Sequence, residues 1–362
     1  MRPISELITE RDMLDFSQGF AVQRNYLGSR LFPDRKTQYI EAEYSRIVEN
    51  GNLPTVAMIH GFDTEAHIAS RVPFERVVTE QLLIKEKINL TERLRLVTRG
   101  LDMQMDSVRR YCFDDVARMA ESVVARVEKA KMEALSTGKM TINENNVSME
   151  VDFGVPSDQK VATKWAVADA DIIGDIDKWV TIANGKGQTP TVAITSKKVF
   201  SLIQRNAAVQ KAIFGINGAG ILPSLAQVNN LLAQQFNGLT LNIDEERYGV
   251  IDTAADAMKV SQGRFFPEDK FVMCSVGYDG SVGTGLWGVT PEELEQGGAF
   301  DEKRQEQYVT CVRWDTQDPV ATWTKASGLF IPVLPNVYGH IIATIDTTSE
   351  QALENGDRPV EG

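Results

Sequence analysis

Four groups of residues have the types and spacing that chemistry could use. Gly283-Thr284-Gly285-Leu286-Trp287-Gly288 matches the glycine pattern of dinucleotide sites after an apolar run at Phe271–Val276. Such a site needs its last glycine to open a helix whose amides face the pyrophosphate. Here Val289-Thr290-Pro291 follows and the next helical stretch, Glu292–Gln296, is short and acidic. A nucleotide-dependent enzyme using Gly283–Gly288 is therefore an alternative of low weight. Asp169, Asp171, Asp175 and Asp177 form the densest carboxylate group, but the spacing is not that of a calcium-binding loop. Their alternation with Ile172, Ile173 and Trp179 reads better as a capped helix start. His60, His67 and His340 are far apart and no Cys or His stands at zinc spacing. Cys112, Cys274 and Cys311 are odd in number and dispersed, which speaks against a disulfide framework. No Gly-x-Ser-x-Gly elbow occurs, and Cys112 falls on an apolar helix face, where a thiol is inert. No catalytic residue, cofactor or metal is expected, which points toward a structural or binding role.

The element around which the chain is organised is a helix from Asp106 to Ser136. Its apolar residues recur at Val108, Cys112, Val116, Met119, Val123, Val127, Ala130 and Ala134, in steps of three or four that keep one face apolar. Val116, Met119, Val123 and Val127 are the expected core of this face. Charges fill the other face, and Gly138 stands where a helix stops. At ~1.5 Å per residue the rod is on the order of 45 Å long. A stripe drifting at 3.6 residues does not suit a coiled coil, and charges at nearly every turn exclude a membrane span. A spine packed along a sheet remains. Val147, Met149, Val151 and Phe153 then alternate with polar residues as a strand with one buried face.

The chain has 362 residues, 43% of them hydrophobic, enough for two domains. Its net charge of −12 argues against a broad nucleic-acid grip. The first residues lack an apolar signal core and no uncharged stretch reaches membrane-spanning length, so secretion and membrane insertion are not expected. Residues 1 to about 30 read as an arm with a short helix near Ile4–Phe16 and too little apolar surface to fold alone. Gly51–Asn89 mixes β-rich runs with Gly61, Pro54 and Pro73, a long two-stranded excursion that needs another surface to lie on. After the break at Val155-Pro156-Ser157, helices are expected at 171–184, 196–204 and 222–236. Strands are expected at 191–195, 239–243, 271–276, 308–313 and 330–334. The class is α+β. A last strand at Val337–Ile345 is expected to pair beside the spine helix, with an acidic tail after it.

The order of these features resembles the major capsid proteins of tailed phages, specifically the lambda-like E family. The match spans nearly the whole chain. It rests on Arg30-Leu31-Phe32-Pro33, on the spine-to-strand segment ending Met149-Glu150-Val151-Asp152-Phe153-Gly154, and on Lys198-Val199-Phe200-Ser201-Leu202-Ile203. Phe271-Val272-Met273 with the Gly277–Gly288 loop and the closing Pro335-Asn336-Val337-Tyr338-Gly339 complete it. The resemblance implies the Hong Kong 97 type capsid fold, with an N-arm at about 1–45, an E-loop at 46–88 and a P-domain at 89–160 that carries the spine. An A-domain at 161–319 and a P-domain return strand with the tail at 320–362 follow.

It further implies a structural protein that self-assembles into hexamers and pentamers of an icosahedral head, with A-domains meeting at the capsomer axes around double-stranded DNA that is held without specific binding. Inter-subunit contacts are expected from Thr55, Met58, His60, Phe62, His67, Arg71 and Phe74 on the E-loop and from Tyr26, Arg30 and Phe32 on the N-arm. Expected partners are further copies of the chain, a separate scaffolding protein, a portal protein and, where present, a decoration protein, with no membrane. The place is the virion, assembled in the bacterial cytoplasm. Some members weld the shell through an E-loop lysine; Gly51–Ile84 contains none and the first is Lys85, so an uncrosslinked shell is expected. The early position of Arg30–Pro33 leaves no room for an N-terminal scaffolding segment, hence the separate scaffold. An encapsulin-like nanocompartment, which shares the fold, is the alternative within structural proteins.

Overall fold

The computed structural model describes residues 26–47, 53, 56, 74–90, 105–144, 147–167, 169–216, 218, 220–252, 259–295, 302–306, 308–318 and 320–347. In chain order these form α1 (Leu27–Leu31), β1 (Asp34–Lys36), β2 (Glu41–Ile47), β3 (Phe74–Glu80), β4 (Leu82–Leu90) and α2 (Met105–Thr137). The hairpin β5 (Lys139–Glu144) and β6 (Val147–Asp152) follows, then β7 (Lys160–Lys164), α3 (Ile172–Gly185), β8 (Val192–Thr195), α4 (Lys197–Arg205), α5 (Ala207–Phe214), α6 (Leu225–Gln235) and β9 (Thr240–Ile243). The chain continues through β10 (Arg247–Asp252), β11 (Lys259–Arg264), β12 (Lys270–Cys274), β13 (Thr284–Trp287), α7 (Pro291–Leu294) and β14 (Glu302–Glu306). It closes with β15 (Val309–Gln317), β16 (Val320–Val333) and β17 (His340–Asp346). The expected N-terminal helix at 4–16 lies outside the described residues.

The spine is α2, and its length follows from an unbroken apolar stripe without proline. It stops at Gly138, whose φ of +69° is the left-handed conformation that a residue with a side chain resists. The Gly138 amide donates to the Ala134 carbonyl at 3.0 Å, and the Phe153 amide donates to the Gly138 carbonyl at 3.1 Å, so the helix end also seats the strand that returns. The helices after residue 160 start on side-chain caps: Asp171, Ser196, Asn206 and Ser224 each accept a backbone N–H, Ser224 within a capping box completed by Gln227.

The chain divides into two compact units. The first contains 1–42, 78–131 and 284–333, and the second contains 43–77, 132–283 and 334–362. In the first, a mixed sheet has the order β1-β13-β16-β15-β14, with β4 also on β16. Strand β16 is its axle: Thr322–Ser327 pair with both β15 and β4, and Phe330–Val333 pair with β13. Strand β4, which reads in sequence as part of the excursion, therefore belongs to this sheet. In the second unit the sheet has the order β7-β17-β12-β8-β9. Its core is apolar, with Ile176, Trp179, Val199, Leu232, Phe271 and Ile341 among its members. Trp165 stacks on Trp179 at 5.6 Å and meets Phe271 edge-on at 5.3 Å.

One topological expectation changes. The closing strand β17 pairs with β7 and β12, whereas the long strand beside the spine residues of the first unit is β16. Both strands are apolar, and an apolar run of this length does not name its partner. Residues 284–333 cluster with 78–131. The physical reason is that β13 and β15 both pair with β16.

Candidate functional site

The Gly283–Gly288 pattern forms β13, a strand held on one side by β16 and on the other by β1, with Asp34 opposite Gly285 in parallel register. Its glycines serve close approach between strands. A Cβ at Gly285 would stand 2.4 Å from the Asp34 carboxylate and 2.9 Å from the Phe330 ring. Helix α7 after it has only four residues and is capped by Thr290 with Pro291 in its first turn. The carboxylate group at 169–177 is also structural: Asp171 caps α3, and Asp175 accepts from Thr163 at 2.9 Å and from the Trp165 indole at 3.1 Å. Among the described residues no three His, Cys, Asp or Glu side chains converge in a way that could hold a metal.

What the first unit does contain is a set of buried charges on and around the spine. Glu128 and Lys131 are one turn apart on α2 and are 2% and 0% exposed. The Glu128 carboxylate accepts the Gly28 amide of α1 at 2.7 Å, and Lys131 donates to Asp34 of β1 at 2.8 Å. Both contacts fall on residues 28–34, ahead of β2. Glycine at 28 leaves room for this contact, since a Cβ would lie 2.6 Å from a Glu128 oxygen and the carboxylate would have to shift. Lys131 also lies 5.6 Å from the Phe330 ring centroid, so its ammonium meets a carboxylate and an aromatic face in place of water. The elements α1 and β1 are thus fastened to the spine by two charge-assisted bonds. A third buried charge, Glu292 of α7, accepts from Lys325, from Lys85 at 3.1 Å and from Ser327 at 2.9 Å. Burial alone would raise its carboxyl pKa; these donors and its own backbone amide outweigh that and hold it at about 2.

The expected contact residues fall in different places. Val116, Met119, Val123 and Val127 are buried within the chain, at 9% exposure or less. Tyr26 and Phe32 are also buried in the chain's own core, at 3% and 0%, while Arg30 at the end of α1 is exposed. The two aromatic side chains are thus covered by the chain itself. Thr55, Met58, His60, Phe62, His67 and Arg71 lie outside the described residues, and Phe74 opens β3 with its backbone alone described. The side chain of Cys112 is outside them too.

Sequence spacing missed one constellation in the second unit. Cys274 and His340 stand opposite each other in the β12–β17 register. The Cys274 sulfur is 3.1 Å from His340 Nδ1, and Nε2 is 2.6 Å from the Leu135 carbonyl near the end of the spine. A carbonyl only accepts, so Nε2 carries the proton and Nδ1 receives the thiol S–H. Burial lowers the His340 pKa to about 4 against the raising effect of the Leu135 carbonyl, and burial pushes the Cys274 thiol up. A neutral imidazole beside a protonated thiol holds a helix end; it does not make a nucleophile. The two residues are 66 positions apart, so only strand register could have revealed the pair.

The phage major capsid protein E family model matches residues 18–345. No curated protein matches the sequence significantly. Among solved structures, a putative capsid protein of a prophage in Escherichia coli CFT073 superposes with a TM-score of 0.59 at 14% identity, covering 94% of this chain and 99% of that one. A phage-related protein from Bordetella bronchiseptica RB50 gives 0.55 at 12% identity, covering 93% and 97%. At these identities the structures establish a shared fold.

Proposed function

The chain belongs to the phage major capsid protein E family, and from that premise we propose how its elements build a shell. Its role is structural, as a subunit of a phage capsid with the Hong Kong 97 type fold, and it is not an enzyme. In our reading it assembles into hexamers and pentamers that close around double-stranded DNA in the bacterial cytoplasm. A separate scaffolding protein and a portal protein act during assembly, and a decoration protein has a place at capsomer junctions. Residues 1–45 act as the N-arm, 46–88 as the E-loop, 89–160 with 320–362 as the P-domain and 161–319 as the A-domain. The family match over 18–345 is the observation that carries this reading, and it favours a phage shell over a cellular nanocompartment.

The anchoring of α1 and β1 on the spine gives this reading a mechanical basis. An arm that must reach a neighbour needs a fixed root, and Glu128 with Lys131 supply one. Arg30 on the arm and Thr55, Met58, His60, Phe62, His67, Arg71 and Phe74 on the E-loop are the proposed inter-subunit contacts. The shell is held by overlap without a lysine weld, since Lys85 lies in β4 and is paired with Glu292. The test is negative-stain microscopy and size-exclusion chromatography of the protein, alone and with its scaffolding protein. Shells or hexamer-sized rings are expected, and bands on a denaturing gel run at the monomer mass. A covalent ladder on that gel would refute the uncrosslinked shell. Removal of residues 1–25 is expected to abolish assembly while the subunit keeps its far-ultraviolet circular dichroism.

A further inference from the structure

Between Lys211 and Asp244 the chain runs for 32 residues without Asp, Glu, Lys, Arg or His. At the chain's 24% charged content a stretch this long would hold about eight charges. Burial does not explain their absence. Three large aliphatic side chains of this stretch face outward from the loop between α5 and α6: Ile216 is 86% exposed, Leu222 57% and Ile221 49%. The exposed residues that follow on α6, such as Gln227, Asn230 and Gln234, are uncharged. The surface here is apolar at its centre and polar without charge around it.

The loop is held in shape from beneath. Gln210, 5% exposed, accepts the Gly220 amide at 2.9 Å and donates to the Gln204 carbonyl at 2.9 Å. The Gln204 side chain in turn donates to the Pro223 carbonyl at 2.7 Å. Gly215 and Gly220, at φ +76° and +85°, make the turns that a side chain would obstruct. Gln210 and Gln204 thus hold Gly220 and Pro223 on either side of the exposed Ile221 and Leu222, which favours a preorganised contact.

We infer that Ile216, Ile221 and Leu222 with the outer face of α6 form a contact surface for a second copy of this chain. The inference rests on the shell reading and adds the place of one contact. Charge selects the partner. Each copy carries a net charge of −12, so two copies meet with least repulsion where a patch holds no charge. Interface centres are depleted of charge because burying a charge costs its hydration. The stretch itself offers nucleic acid no cation and a charged peptide no counter-charge.

The experiment compares the wild-type protein, co-expressed with its scaffolding protein, with the Ile216→Asp/Leu222→Asp double variant, by sedimentation velocity and electron microscopy. The expected result is a fall in assembled material on the order of tenfold or more, as for loss of a central contact, with the melting temperature of the subunit unchanged because both side chains are already exposed. Ile216→Ser/Leu222→Ser serves as the milder variant if the aspartates disturb the fold. Wild-type shells together with unchanged assembly of a folded variant overturn this contact and leave the shell reading standing. A wild-type protein that stays monomeric at every concentration overturns both.

Discussion

In the unit built around most of the spine helix, charges are buried where distant stretches of chain meet; in the other unit, helices and sheet close over an apolar cluster. Gly28 meets Glu128 across 100 positions, Asp34 meets Lys131 across 97, and Lys325 meets Glu292 across 33. The apolar cluster is built from residues of one stretch, 165–273, plus the closing strand. The difference teaches where specificity is needed. Neighbouring helices capped by Asp171, Ser196, Asn206 and Ser224 find each other through local signals. An arm and a spine have no such signal, and a buried ion pair rejects every wrong register because a misplaced charge is left unpaired. That specificity costs stability relative to an apolar seam, so the two units are expected to respond differently to truncation, pH and crowding at a glycine.

The sharpest contrast comes from core truncation. Trp179→Ala in the apolar unit removes a ring packed on Trp165 and Phe271 and should cost about 4 kcal/mol, read by urea unfolding. Lys131→Ala in the other unit leaves Asp34 without its partner and should cost about 3 kcal/mol. Lys131→Met, which keeps the stem's volume, should recover part of it. Full loss with methionine would mean the charge itself holds the arm, and full recovery would mean packing does.

Acid should separate the units by pH window. His340 has a folded pKa of about 4 against an ordinary 6.5, so the unfolded state binds its proton first. Its contribution is complete above about pH 6.5 and is lost as pH falls to about 4. Glu292 has a folded value of about 2 against 4.5, so its contribution is complete above about pH 4.5 and is lost toward 2. Each amounts to about 3 kcal/mol at most. Hydrogen exchange followed by mass spectrometry should show β12 and β17 loosening at higher pH than the Glu292 surroundings. His340→Gln should flatten the first window alone, and simultaneous loosening of both regions would break the comparison. A smaller effect tests the arm seam: Gly28→Ala should cost about 2 kcal/mol by crowding the Glu128 carboxylate. Smallest of all, Ser224→Ala should cost about 1 kcal/mol in the apolar unit by removing a cap.

Much of the fold was legible before the structure. The spine expected at 106–136 is α2 at Met105–Thr137, and the alternating strand at 147–153 is β6. Helices expected at 171–184, 196–204 and 222–236 are α3, α4 and α6, because an apolar period and a capping residue coincide at each. The short helix α5 and the hairpin β10–β11 were not anticipated. Asn206 both ends α4 and caps α5 in a single residue, which hides the boundary, and Gly249 and Gly263 weaken the strand pattern of the hairpin.

The sequence by itself determined the local elements and the absence of a catalytic pattern, and the order of its motifs carried the family resemblance. Period, caps and glycine stops act over a few residues, and a single chain displays them directly. Tertiary structure alone decided that β4 joins β16, that β17 lies between β7 and β12, and that Glu128 and Lys131, outwardly ordinary helix charges, are buried clamps on the arm. It also brought Cys274 to His340 and set Ile216 and Leu222 outside while Gln210 went in. These are relations between positions from ten to more than a hundred residues apart. No local period encodes them, because what fixes each is the free energy of burying one side chain against another that the chain supplies elsewhere.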